Sequence, residues 1–131
     1  MKRMYITVSF QDKANRKDAE KLCSLVRQAG FEDFYFNRDV EKYQSIFTPS
    51  ELMERTLEEI KQCNYLLIDL TNKPTGRAIE AGIAYALGKK VIVIMKRGIK
   101  IKDTVRGIAT EIIEYNTIDE IIRPLKNLRY T

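Results

Sequence analysis

The sequence predicts an α/β fold in which helices cover both faces of a parallel sheet. Short runs rich in Val, Ile, Leu and Tyr alternate with segments of helical periodicity along the chain. Two of these runs, residues 65–71 and 90–96, are almost continuously apolar, which is typical of strands buried on both faces. A helical segment comes after the first, second, third and fifth strand-like runs, and the fourth run is followed by the fifth. This order favours a parallel sheet with crossover connections.

The first half of the chain predicts two strands and one long helix. Residues 4–10 (MYITVSF) are β-branched and aromatic and form the first predicted strand. Residues 15–29 carry apolar side chains at helical spacing, and Gly30 is placed to end that helix. Residues 34–36 form a short second strand. Residues 37–47 show no clear period, so we expect a loop there.

The second half opens with a helix start signal. Residues 48–51 (TPSE) match a capping box with Pro at the first helical position, and the helix they begin runs to about Cys63. Residues 65–71 are the third strand. A helix of small residues follows over 76–88, and residues 90–96 are the fourth strand.

The last elements complete a five-stranded sheet. Residues 111–115 are the fifth strand, and residues 117–120 (TIDE) predict a second capping box that opens a final helix. Five strands of this kind predict a flavodoxin-like, three-layer doubly wound sheet of order 2-1-3-4-5. We expect residues 1–131 to form a single domain, since the sequence shows no internal repeat or linker.

Composition excludes several classes of function. The sequence has no histidine, which removes histidine-based triads, histidine metal ligands and histidine general bases. The two cysteines, Cys23 and Cys63, are too few for a disulfide framework or a zinc site, and we expect buried free thiols. The net charge of +5 is spread along the chain, which suits a small anionic ligand better than a nucleic acid polymer. We expect no metal, no cofactor, no membrane contact and a cytoplasmic location.

The strand order locates a ligand site before any motif is considered. In doubly wound sheets ligands bind beyond the carboxyl ends of the strands, where the strand order reverses. Here that crevice lies between the first and third strands. Its expected walls are Ser9, Phe10 and Gln11 on one side and residues 71–80 on the other.

One carboxylate, Glu80, stands in the helix of small residues. Helical spacing predicts that Ile79, Ile83 and Ala86 pack on the sheet, with Glu80 at the margin of that face and Ala81 toward solvent. A carboxylate at the margin of an apolar face needs a compensating interaction. An ionised and fixed carboxylate is what a nucleophile requires, although capping of its own helix would also explain it.

The segment around this glutamate resembles a known family. Residues 66–94 (LLIDLTNKPTGRAIEAGIAYALGKKVIVI) resemble the core motif of the nucleoside 2-deoxyribosyltransferase-like superfamily. The shared pattern is a strand, a short loop, a Glu within a Gly/Ala helix, then Gly-Lys and another strand. The spacing of Tyr5 and Ser9 and the VRG sequence at 105–107 resemble its 2′-deoxynucleoside 5′-phosphate N-hydrolase branch.

The resemblance implies an activity and its residues. It implies cleavage of the N-glycosidic bond of a nucleoside or its 5′-monophosphate, by hydrolysis or by base transfer, in a chain that forms a homo-oligomer such as a dimer. Glu80 matches the nucleophile and Tyr5 the residue that orients it. The positions that match substrate-binding positions of the sugar, of its phosphate or of the neighbouring subunit are Ser9, Pro74, Thr75, Gly76, Arg77, Lys102 and Thr104.

Two positions depart from the family pattern. Thr56 stands where the family has a catalytic aspartate, and Gln11 stands where the hydrolase branch has a phosphate-binding arginine. A substitute acid is therefore required, and Asp69, late in the third strand, is preferred over Glu59. Two other functions stay open: a TIR-like domain that cleaves NAD or binds proteins, and a nucleotide-binding sensor without turnover.

Overall fold

In the computed structural model, five parallel strands form one sheet in the order β2-β1-β3-β4-β5, which confirms the predicted topology. The structure describes residues 1–8, 13–71, 75–101 and 103–128, apart from the side chains of residues 13–15 and 75. The strands are β1 Arg3–Thr7, β2 Glu32–Tyr35, β3 Tyr65–Asp69, β4 Lys90–Lys96 and β5 Glu111–Tyr115.

Helices cover both faces of this sheet. They are α1 Lys13–Gln28, α2 Phe36–Asp39, α3 Pro49–Lys61, α4 Thr75–Ala86, α5 Asp103–Ile108 and α6 Ile122–Leu128, with a 3₁₀ turn over Ile118–Ile121. The prediction of a loop throughout 37–47 was wrong at its start, because the chain turns into α2 directly after β2. The short helix α5 was not predicted, since six residues give too little periodicity to read.

Alternating side chains of the strands divide the core into two clusters. Met4 and Ile6 of β1 point toward α1 and α6, whereas Tyr5 points toward the face covered by α3 and α4. On β3, Leu67 belongs to the first cluster and Leu66 to the second. This alternation decides on which side of the sheet each polar residue near the strand ends lies.

Local signals set the helix ends. The Thr48 hydroxyl accepts from the N–H of Glu51 and the Glu51 carboxylate accepts from the N–H of Thr48, so the first capping box is confirmed. Gly30 has φ +100°, the left-handed conformation expected after α1. The second capping box was wrong: Thr117 makes no side-chain cap, and Glu120 instead accepts from the N–H of Asn116.

Two further expectations concern cysteines and membranes. Cys23 and Cys63 are buried free thiols, as predicted. Burial raises their pKa values to about 12 and about 11, so both stay protonated at neutral pH. Across the described part of the chain, no helix combines the length and apolar character that a membrane crossing needs.

Candidate active site

The side chains of Glu80 and Tyr5 meet on the α3/α4 face of the sheet. Tyr5 lies on β1 and is almost fully buried, and its hydroxyl donates to Glu80 Oε1 at 3.3 Å. The hydroxyl of Thr7, two residues further along the same strand, also donates to Glu80. Because residues two apart on a strand share a face, β1 presents two hydroxyls to one carboxylate.

A third hydroxyl contacts Tyr5 rather than Glu80. Thr56 of α3 is 1% exposed and hydrogen-bonds to the oxygen of Tyr5. The position where the family pattern has an aspartate therefore carries a donor to Tyr5. The resulting chain of contacts runs from Thr56 through Tyr5 to Glu80.

Opposing effects set the ionisation of Glu80. Burial raises its pKa, and the nearby carboxylate of Glu41 raises it further by repulsion. The hydrogen bonds from Thr7 and Tyr5 and the positive charge of Arg77 act in the other direction. A carboxylate with few waters and several fixed donors is poised to react with an electron-poor centre.

The packing face of α4 differs from the prediction. Ile79 was expected to pack on the sheet but is 56% exposed, and Ala86 is exposed as well. Ala81, expected toward solvent, is buried together with Ala84. Apolar residues occur on all sides of this helix, so periodicity did not identify its buried side. Small alanines face the strands, and Glu80, next to Ala81, lies deeper than predicted.

Asp69 lies on the other face of the sheet from Tyr5. Its carboxylate accepts from the N–H of Thr71 at 2.9 Å and from the Thr71 hydroxyl at 2.7 Å. The hydroxyl of Tyr115 also donates to it at 3.3 Å. These contacts make Asp69 an acceptor for the turn after β3, and they do not join it to Glu80. Its catalytic role stays a prediction.

Glu59, the other proposed substitute acid, lies near the opposite end of the strands. It pairs with Arg55 at 3.0 Å and with Arg3 at 3.6 Å. Arg3 is the first residue of β1, whereas ligands bind beyond the carboxyl ends of the strands. Glu59 is therefore a partner of two arginines, far from the crevice.

A cavity of about 490 Å³ opens at the carboxyl ends of the strands, on the α1 side of the sheet. The residues that line it and bear on the site are Val8, Asp69, Thr71, Arg77, Lys96 and Tyr115. Arg77 also donates from Nη1 to the carbonyl of Asp69 at 2.7 Å. Glu80 does not line this cavity, but its neighbour Arg77, one turn earlier on α4, does.

The remaining predicted residues fall in three groups. Ser9, Phe10, Gln11, Pro74 and Lys102 lie outside the described residues. Thr75 begins α4, and Gly76 follows in its exposed first turn, where an added Cβ would meet no atom within 4 Å. Thr104 is exposed on α5. Their roles in substrate binding stay predictions.

Sequence reasoning missed the roles of three residues around Tyr5 and Glu80. Thr7 could have been found from strand periodicity, because it alternates with Tyr5 on the same face. Thr56 was noted only as a departure, although a hydroxyl can act as a donor there. Glu41 follows α2, a helix that the sequence did not predict, so no pattern linked it to α4.

A family model describes most of the chain. The nucleoside 2-deoxyribosyltransferase model matches residues 5–112, from the tyrosine on β1 to β5. This chain belongs to the nucleoside 2-deoxyribosyltransferase family. The match confirms the resemblance that residues 66–94 indicated. Both Tyr5 and Glu80 lie within the matched region.

Solved structures support the fold of this deoxyribosyltransferase-family chain. The CMP N-glycosidase of Clostridium botulinum has a TM-score of 0.73 at 22% identity, covering 97% of this chain and 99% of its own. The 2-deoxyribosyltransferase of Bacillus psychrosaccharolyticus has 0.71 at 19%, covering 92% and 90%. A conserved protein of Enterococcus faecalis V583 has 0.79 at 12%, covering 98% and 99%. No curated protein sequence matches the chain significantly.

Proposed function

We propose that this chain cleaves the N-glycosidic bond of a nucleoside or of a nucleoside 5′-monophosphate, with Glu80 as the nucleophile. The family and the fold support an enzyme of the nucleoside N-glycosidase or deoxyribosyltransferase type. The names of two structural neighbours, a CMP N-glycosidase and a 2-deoxyribosyltransferase, refer to chemistry at this bond. The observation that carries the proposal is the partly buried Glu80 carboxylate, held by hydroxyls of β1 at the end of the sheet.

The chemistry fits the groups present. Cleavage passes through a transition state in which positive charge develops at C1′ and the ring oxygen of the sugar. The Glu80 carboxylate stabilises this charge and bonds to C1′, giving a glycosyl-enzyme intermediate. Water then releases the free sugar, or a second base accepts it. Both outcomes use the same first step, so the site itself is compatible with hydrolysis and with transfer.

Tyr5 and Thr7 fix the attacking carboxylate. Each donates one hydrogen bond to Glu80, which removes rotational freedom from the side chain before substrate arrives. The raised pKa of Tyr5, caused by burial and by the nearby Glu80, keeps its proton in place as a donor. Tyr5 is thus a positioning residue that acts through Glu80.

The cavity beside Arg77 is the proposed place for the 5′ side of the substrate. Arg77 and Lys96 both line it, and their charges suit a phosphate. Gln11 stands where the hydrolase branch has an arginine, so the chain needs cations from elsewhere if a 5′-monophosphate is its substrate. This assignment can be tested by comparing KM for nucleosides with KM for their monophosphates.

The experiment is a panel of deoxynucleosides, ribonucleosides and their 5′-monophosphates, each with and without an acceptor base. Base release is followed by chromatography for the wild type, Glu80→Ala and Glu80→Gln. We expect release by the wild type and a loss of at least about a thousandfold in both variants, as for removal of a nucleophile. If no substrate loses its base, while calorimetry shows binding, the chain is a nucleotide sensor. Cleavage of NAD alone would favour the TIR-like alternative.

A second copy of this chain is the proposed partner. Apolar side chains stand exposed on the neighbouring helices α3 and α4: Met53 is 39% exposed, and Ile79 and Tyr85 are each 56% exposed. Ile79 directly precedes Glu80, so a subunit docked there would close one side of the site. Light scattering should give a dimer for the wild type and a monomer for Ile79→Asp. A monomeric wild type at micromolar concentration contradicts this proposal.

A further inference from the structure

The proposed reaction needs a second acid. When the bond between C1′ and the base breaks, the electron pair goes to the base, and most bases leave readily only when a proton reaches them. Glu80 cannot serve both as nucleophile and as donor in the same step. Thr56, at the position of the family aspartate, has no acidic proton to give. The inference below therefore rests on the proposed function and completes it.

The contacts of the two substitute acids speak against both. Asp69 already accepts three hydrogen bonds on the α1 side of the sheet. Glu59 pairs with two arginines near the amino end of β1. Neither carboxylate shares the α3/α4 face and the carboxyl end of the strands with Glu80.

Glu41 belongs to a segment that lies at the carboxyl end of the strands and on the α3/α4 face. It follows α2, which begins directly after the carboxyl end of β2 and packs against β1. Phe36 of α2 and the residue before Glu41, Val40, belong to the same apolar cluster as Tyr5. The segment carrying Glu41 is thus fixed on the face of the sheet that carries Glu80.

Local contacts hold the Glu41 side chain. The N–H of Glu41 donates to the carbonyl of Phe36 at 3.2 Å, and Asn37 Nδ2 donates to Glu41 Oε1 at 3.0 Å. The next two residues, Lys42 and Tyr43, have φ values of 51° and 61°, a left-handed pair that reverses the chain. Non-glycine residues adopt this conformation at a cost, so the turn is an imposed feature of this loop.

Electrostatics links the two carboxyl groups. Partial burial raises the pKa of Glu41, which favours its protonated form. Repulsion from the Glu41 carboxylate is the smallest of the effects on the pKa of Glu80, after burial, the two hydroxyls and Arg77, so Glu41 lies within electrostatic range of Glu80. When two carboxyl groups interact in this way, one tends to hold a proton while the other is ionised.

We propose that Glu41 is the general acid that protonates the departing base. In the first step a Glu80 oxygen bonds to C1′, the C1′–N bond breaks with its electron pair passing to the base, and the Glu41 proton moves to a nitrogen or oxygen of the base. In the second step water attacks C1′ and gives a proton to Glu41, while the bond between C1′ and Glu80 breaks. Both carboxyl groups return to their starting states, and the net reaction is hydrolysis.

The test compares two leaving groups in Glu41→Gln. Glutamine keeps an oxygen that can accept from Asn37 but has no acidic proton. For an unmodified purine deoxynucleoside or its 5′-monophosphate, whichever the wild type cleaves faster, we expect kcat to fall by about a hundredfold or more. For the same compound methylated at N7, whose cationic base leaves without a proton, we expect a change below about threefold.

Activity on the methylated substrate also shows that the variant is folded and that Glu80 works. The matched control is Glu54→Gln on the exposed side of α3, which should change neither rate. Equal losses on both substrates, or no loss on either, would overturn the role of Glu41. A wild type that releases no base from any compound of the nucleoside and nucleotide panel refutes the proposed function itself, whereas an active wild type with an unaffected Glu41→Gln refutes only the acid.

Discussion

The hydroxyl of Tyr5 donates to Glu80 Oε1 at 3.3 Å, although the two residues are 75 positions apart in the sequence. The contact joins β1 to α4, the helix after β3. It lies where the strand order reverses, between β1 and β3. It explains why a tyrosine is buried on β1 between Met4 and Ile6. It also gives the site a donor whose removal changes little else in the core.

Tyr5→Phe tests that donor. The ring stays and packs against Phe34 as before, but the hydrogen bond to the Glu80 carboxylate is lost. Hydrogen bonds to charged groups contribute about 1.5–3 kcal/mol, so kcat should fall by roughly ten- to a hundredfold. Steady-state kinetics measures this. Tyr35→Phe, at a buried tyrosine of β2 on the other face of the sheet, should leave kcat unchanged, and equal effects of the two substitutions would contradict the prediction.

Thr56→Val and Thr56→Ser form a matched pair. Valine has the shape of threonine without the hydroxyl that bonds to Tyr5, whereas serine keeps it. We expect valine to lower kcat by about three- to tenfold, through a less fixed Tyr5, and serine to keep most of the activity. If serine is as impaired as valine, the methyl group matters more than the hydroxyl, and the relay from α3 has no catalytic part.

The sheet could be predicted because several independent signals agreed for each strand. Residues 90–96 and 111–115 were assigned with their observed bounds, and the capping box at Thr48 set the start of α3. A strongly apolar run, or a Gly placed directly after a helical segment, is compatible with few other secondary structures. The weaker case was the TIDE segment, where Glu120 is close enough to the N–H of Asn116 to bond there instead of capping as expected.

The site was harder to predict because it depends on the direction in which each side chain points and on contacts between residues that are distant in the sequence. The buried face of α4 differs from the predicted face, because a helix with Ala, Gly and Ile on every side has no single apolar stripe. Asp69 was favoured from its place late in β3, but strand alternation puts it beside Tyr115 and away from Tyr5. Glu41 could not be linked to Glu80 at all, because nothing in the sequence marks α2 as a helix.

Asp69→Asn separates a structural role from a catalytic one. Asparagine keeps an oxygen that can accept from Thr71, but it removes the charge and the proton that an acid would need. We expect kcat on an unmodified base to change by less than about fivefold, with a stability loss of about 1 kcal/mol in urea denaturation. A hundredfold loss confined to the unmodified base would instead return the acid role to Asp69.

Lys96→Gln tests the proposed phosphate side of the cavity. Lys96 lies exposed at the carboxyl end of β4, where it lines the cavity together with Arg77. Loss of its charge should raise KM for a 5′-monophosphate by about three- to tenfold and leave KM for the nucleoside unchanged, because an exposed charge contributes modestly. Lys126→Gln on α6 is the control. Equal changes for both substrates would exclude a phosphate at this place.

The stability of the fold should depend on the charge of Glu80. Burial and Glu41 raise its pKa, while Thr7, Tyr5 and Arg77 only partly oppose this, so the folded protein holds the proton more tightly than the unfolded chain. Under this sign the unfolding free energy falls as pH rises from the ordinary glutamate pKa, near 4, through the higher pKa in the fold. The cost is fully present above that window and absent below it.

Glu80→Gln should therefore be more stable than the wild type at pH 8 and equal to it near pH 4. Glutamine has nearly the same shape and can still accept from Tyr5, but it never carries the charge whose burial is unfavourable. Thermal unfolding at both pH values measures this, and we expect the Tm difference at pH 8 to be a few degrees, since about 1 kcal/mol moves Tm by ~4 °C at this size. A variant that loses activity while gaining stability would show that the fold bears a cost at Glu80 for the sake of chemistry. A Tm difference that is constant with pH would mean that Glu80 ionises as easily in the fold as in the unfolded chain.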